Sequence, residues 1–184
     1  MIVNIVLFLL LALAFYQGYR QGLALQVVRL IAYGVTFLLA STYIDTISSW
    51  IEMIIPFPAI QPDTEFIFYS EELSFFVDDA FYRVLAYLLI FVIGIFISKI
   101  LTVFLSKLQH YEFLDMANGL LGGLINALIS YLVIFLILFL LSLLPIEWIQ
   151  QQFVNYPVLY WIVSSTPIVS QWAMDAWLVA NPFM

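Results

Sequence analysis

Most of the chemistry available inside the apolar runs of this sequence is concentrated at two helical spacings. Gly22, Gln26, Arg29, Tyr33, Thr36 and Ala40 recur three or four residues apart, so a helix presents them as one stripe of polar and small groups. Arg29 is the demanding member. It stands seven residues beyond Gly22, about 10 Å along a helix that rises ~1.5 Å per residue, where hydrocarbon would penalise a bare guanidinium by about 2–3 kcal/mol. It must snorkel to the interface or find a partner. A second stripe, Asn118, Gly122, Asn126 and Ser130, runs at four-residue spacing and is flanked by Gly119 and Gly123. Both stripes read first as seams where helices approach closely and share hydrogen bonds. The rival reading is a solute path lined by Gln26, Arg29, Asn118 and Asn126. Asp115, just ahead of the second stripe, reads as a helix N-cap with Arg20 or Arg29 as charge partner.

Little else in the chain points to catalysis. His110 is the single histidine, and no HExxH, GxGD or GxSxG occurs, so a Ser/His pairing lacks its nucleophile turn and its second acid. There is no cysteine, which removes disulfides, thiolates and cysteine metal sites. Eight acids (Asp45, Glu52, Asp63, Glu65, Glu71, Glu72, Asp78 and Asp79) lie between Ser41 and Ala80 without a Lys or Arg among them, yet their spacing is not that of a calcium loop. Asp79 and Arg83, four apart, suggest a local ion pair of small net value. The expectation is a protein that is not an enzyme and has no cofactor and no metal.

The elements that must carry these residues follow from composition. Hydrophobic residues make up 65% of the 184 and charged ones 9%, with mean hydropathy +1.10, too apolar for a domain of this size to hide from water, so the solvent is lipid. The expected fold is all-α: a single polytopic membrane domain over 1–184 with four transmembrane helices. Spans are expected at 2–19, 23–44, 80–104 and 116–144, with an outer acidic loop over 56–79 broken by Pro56, Pro58 and Pro62. Ala12-Leu13-Ala14 has the look of a signal-peptidase site, but Met1 to Asn4 carry no positive charge, so the first apolar run reads as a permanent span. Over 145–184, Pro157, Pro167 and Pro182 divide the tail into apolar pieces of about ten residues, too short to cross and better suited to interfacial or re-entrant helices.

Arg20, Arg29, Lys99 and Lys107 gather near two short turns, and the positive-inside rule puts those turns in the cytoplasm. Both termini then face outward. Trp50, Trp148, Trp161, Trp172 and Trp177, all five tryptophans, fall in segments assigned to the outer side, where their rings suit the headgroup region. No basic patch exists to bind nucleic acid. Gly18 and Gly22 bracket Arg20 and read as a hairpin turn with a topogenic charge, glycine allowing both a positive φ and a close neighbour.

The run G18-Y-R-Q-G22-L-A-L-Q26 after a short first span, with F113-L-D115-M-A-N-G119-L-L-G122-G123-L-I-N126 opening a long last one, resembles the colicin V production protein (CvpA) family of bacterial inner-membrane proteins. Arg20, Gly22, Asp115, Gly119 and Gly123 match its pattern. Gln26 stands where the family usually has an acid, and Asn126 where a basic residue is common. The resemblance implies a cytoplasmic membrane protein connected with production or export of a peptide toxin and with envelope homeostasis. A similar unit fused to an extracytoplasmic protease in some relatives implies anchoring or scaffolding. The partners expected are the bilayer and a membrane protein or a second copy. The function expected is that of an accessory protein using its tryptophan-rich outer tail, with a small transporter or channel as the alternative.

Overall fold

Lipid offers no partner to a backbone N–H or C=O, so an apolar chain must close its own hydrogen bonds, and a helix does so within one segment. The computed structural model describes residues 2–59, 66–69, 71–74, 76–104 and 115–179, and the regular structure among them is entirely helical. Three helices are long, α1 (Ile2–Ile54), α3 (Val77–Phe104) and α4 (Asp115–Ser142). The short ones are α2 (Glu71–Ser74), α5 (Glu147–Asn155), α6 (Pro157–Ser165) and α7 (Val169–Met174), which runs into a π-helical turn at Asp175–Val179.

Among the described residues three helices are long and apolar enough to cross a membrane, Ile2–Ile54, Val77–Leu101 and Met116–Ser142, rather than the four that hydropathy suggests. The stretches 2–19 and 23–44 belong to one 53-residue element because no loop separates them. Gly22 alone leaves helical geometry, with φ 76 and ψ 169, a backbone state that glycine adopts without a Cβ penalty. The bend there is sharp. Leu10 and Tyr33 line one cavity, whereas an unbroken helix would hold them about 34 Å apart at ~1.5 Å per residue.

Two other boundaries move. The acidic loop does not extend to 79, because α2 begins at Glu71 and α3 at Val77; Asp78 and Asp79 occupy the first turn of α3, where their charge meets the positive end of the helix dipole. The tail over 145–179 is the run of short helices. Pro157 opens α6 from its first turn, where its missing N–H leaves no bond unmade.

The chain groups into two compact units, Met1–Thr42 with Leu89–Ile134, and Tyr43–Leu88 with Phe135–Met184. In the first, the opening arm of α1 lies antiparallel on α4: Phe15 faces Gly123, Gly18 faces Gly122 and Tyr19 faces Gly119. The arm after Gly22 meets α3, with the Tyr33 ring 5.0 Å from Phe91 and Thr36 against Gly94. The Thr36, Ser41 and Thr42 hydroxyls on this arm close on their own helix, Thr36 by donating to the Ala32 carbonyl at 2.8 Å, so that they are not left unpaired in hydrocarbon.

The second unit is packed by aromatic rings. Phe135 and Phe139 are fully buried, Trp177 lies 5.3 Å from Phe139 and 5.5 Å from Tyr87, and Phe68 stacks on Tyr160 at 4.9 Å. Tyr82 holds the end of α1 by donating to the Ile55 carbonyl (3.0 Å) and accepting from the Phe57 amide (2.8 Å).

Candidate functional site: a polar seam and cavity in the first unit

The seam between α1 and α4 exists because both helices lack side chains where they cross. A Cβ at Gly18 would strike the Gly122 carbonyl and the Asn126 side chain, and one at Gly122 would come within 2.7 Å of the Gly18 and Gly22 backbone. Gly119 and Gly123 leave room in the same way for the rings of Tyr19 and Phe15. Bringing backbones this close lets short amide side chains reach across. Asn118 Oδ1 accepts from the Leu23 amide at 2.7 Å, and Asn126 Nδ2 donates to the Ala14 carbonyl at 2.6 Å.

The Asn118 bond has a specific cause. Gly22 interrupts the helix, so the arm that follows begins with amides that have no intrahelical acceptor. Asn118, remote in sequence, caps the first of them in the manner of an N-cap residue. Gln26 is fully buried and donates to Gln21 Oε1 at 3.0 Å, while its own carbonyl oxygen has no partner among the described residues.

Beside the seam lies a cavity of about 560 Å³ whose polar lining includes Gln17, Gln21, Arg29, Tyr33, Ser98, Lys99 and Asn126, and whose apolar lining includes Leu10, Leu13, Ile95, Val133 and Ile134. The Ser98 and Tyr33 hydroxyls lie 3.3 Å apart, linking α3 to α1 at this point, while Ser98 donates to the Ile95 carbonyl at 2.8 Å. Arg29 and Lys99, both expected near one membrane face, thus line one space. Lys99, Gln17, Gln21 and Ser98 were not among the residues that helical spacing singles out. The shared proximity of Lys99 and Arg29 to turns at one membrane face is the sequence signal that links them.

Other site residues fall elsewhere. Arg20 is exposed, with its guanidinium 6.0 Å from the centre of the Tyr16 ring, a weak cation–π contact. Asp115 opens α4, but its side chain, like His110 and Lys107, lies outside the described residues, and so does the pairing expected of it. Arg83 does not take Asp79 as its ion-pair partner. It meets Asp45 at 3.5 Å instead, across α1 and α3 in the second unit. The tryptophans divide: Trp50, Trp148 and Trp161 are well exposed and Trp172 is at the margin, but Trp177 is 4% exposed and belongs to the core rather than to the lipid surface.

The second unit holds a buried polar network that sequence patterning does not reveal. The Tyr69 hydroxyl lies 2.6 Å from Ser142 Oγ, which donates to the Phe139 carbonyl at 2.7 Å, so Tyr69 is the donor to Ser142. Gln150 Nε2 donates to the Ser142 and Leu144 carbonyls at 2.8 and 2.9 Å, satisfying groups left over where α4 ends. Burial pushes the Tyr69 phenol above its ordinary pKa, with the Ser142 bond opposing.

An all-helical chain with three apolar helices of spanning length and an asparagine–glycine seam between two of them is a multi-pass membrane protein. The family model described as colicin V production protein matches residues 3–167, and the chain belongs to that family. It is similar to the uncharacterized transmembrane protein YshB of Bacillus subtilis (strain 168), 25% identical over 177 residues that cover 95% of this chain and 96% of the relative. No solved structure matches the chain.

Proposed function

We propose that this protein is a non-enzymatic accessory or scaffold protein of the bacterial cytoplasmic membrane, acting in peptide-toxin production or envelope maintenance by holding a membrane-protein partner or a second copy of itself. Membership of the colicin V production family is the observation that carries this reading. The use of the span asparagines adds support, since Asn118 and Asn126 each bind backbone across the helix seam instead of standing free along a solute path. The groups we take to be offered to a partner are the exposed tryptophans of the second unit, Trp50, Trp148 and Trp161, at 66%, 70% and 54%. Apolar exposure of that kind is common to lipid contacts and protein interfaces.

Co-purification in a mild detergent tests the reading, with the wild type compared with a Trp148→Ala, Trp161→Ala double variant. A partner or second copy should be retained by the wild type and lost by the variant while both accumulate equally. Reproducible ion or solute flux through proteoliposomes, abolished by Asn126→Leu and indifferent to the tryptophans, would replace this reading with a transporter.

A further inference from the structure

The cavity of the first unit combines features that single out one kind of ligand. Among the described residues its ionic lining is Arg29 and Lys99, both cations, with no carboxylate beside them. Among the described residues the one ion pair is Arg83 with Asp45, so neither cation is neutralised there. Two like charges facing one partly desolvated space repel each other, and an anion between them removes both that repulsion and part of the desolvation penalty. The Gln17 and Gln21 amides border the same space and offer hydrogen bonds to anionic oxygen.

The rest of the lining is hydrocarbon. Leu10, Leu13, Val133 and Ile134 would gain nothing from a bare inorganic anion, and about 560 Å³ falls in the range of about 300–1,000 Å³ typical of organic ligand sites. A ligand with an anionic head and an apolar chain suits both ends. Lys99 is exposed, and so are Leu10 and Leu13, so both the cationic and the apolar parts of the lining are open to the surroundings. A zwitterionic head group would bring its own cation next to Arg29 and Lys99 and find no carboxylate among the described lining residues to receive it.

We infer that this cavity binds one anionic phospholipid of the surrounding membrane, its phosphate held between Arg29 and Lys99 and an acyl chain lying along Leu10, Leu13, Val133 and Ile134. The inference goes beyond the accessory reading and does not depend on it, because lipid occupancy is measured on the isolated protein and partner capture is not.

Native mass spectrometry of the detergent-purified full chain, titrated in parallel with phosphatidylglycerol, phosphatidylethanolamine and inorganic phosphate, tests it. One phosphatidylglycerol per chain should be retained in preference to phosphatidylethanolamine, and that lipid should raise the thermal unfolding temperature where phosphate alone does not. Arg29→Gln and Lys99→Gln should each weaken retention about tenfold, the ratio that one charge-assisted hydrogen bond supports. Arg29→Lys should keep the preference for the anionic lipid, and Arg83→Gln, a charge loss in the second unit, should leave retention unchanged. Val133→Trp should weaken it by filling the apolar end. If Arg29→Gln fails to accumulate, Lys99→Gln at its exposed position carries the test. Equal retention of the two lipids, equal protection by inorganic phosphate, or an equal loss with Arg83→Gln would each overturn the inference, the second by reducing the cavity to a small-anion site.

Discussion

At the scale of the residue, Gly22 and Asn118 act together: one breaks the helix and the other satisfies the amide that the break leaves at Leu23. Gly22→Ala places a Cβ on a backbone with φ 76 and against the Asn118 side chain, and should destabilise the detergent-solubilised protein by about 1–3 kcal/mol in unfolding titrations. Asn118→Leu leaves the Leu23 amide unpaired and should cost a similar ~1–3 kcal/mol. Because the two sites touch, the double variant should lose less than the two losses added, and strict additivity would show that they act separately. Tyr69 allows a pH test. Its phenol holds its proton more tightly in the folded state than in the unfolded chain, so its contribution is complete below about pH 10, the unfolded value, and is lost as pH rises through the folded value. Tyr69→Phe should cost about 1 kcal/mol at neutral pH through loss of the Ser142 bond and should reduce the fall in stability on going alkaline. An undiminished alkaline fall in that variant would exclude Tyr69 as its source.

At the scale of the element, the short helices α5 to α7 are fastened to the end of α4 rather than left loose at its exit. Gln150 of α5 closes the last carbonyls of α4, and Trp177, in the π-helical turn after α7, fills the space beside Phe139 and Tyr87. This separates tryptophans that sequence position alone groups together. Trp177→Ala should cost about 3–5 kcal/mol by opening a core cavity, whereas Trp161→Ala, at a ring 54% exposed, should stay within about 0.5 kcal/mol. Thermal unfolding of both variants in one detergent makes the comparison, and equal losses would place Trp177 at the surface. A helix offers Arg83 an acid four residues back, but Asp45 on α1 is the one within 3.5 Å.

At the scale of the whole molecule, the bend at Gly22 folds the first arm of α1 back beside the second, so that Leu10 and Tyr33 line one cavity, and the sidedness of the chain is left to labelling. Since the chain has no cysteine, single cysteines report sidedness directly. Cysteines at Gln151 and Ser164, both exposed, should react with an impermeant thiol reagent on intact cells and one at Gln109 should not, and the reverse pattern would invert the orientation. Much of this protein was legible without coordinates. The helical class, its membrane setting, the proline-divided tail and the glycine–asparagine stripe on α4 follow from hydropathy and from 3.6-residue spacing, which are local properties of the chain. The sequence marked the boundary between 2–19 and 23–44 at Gly18 to Gly22, but not that the break there is a single non-helical residue, Gly22, which leaves both stretches in one helical element and the described spanning helices at three. Nor could spacing show that Lys99 joins Arg29 at one cavity, that Asn118 caps Leu23, or that Trp177 is buried while Trp161 is not. Each of those depends on which faces of helices distant in sequence are pressed together, and only tertiary packing decides that.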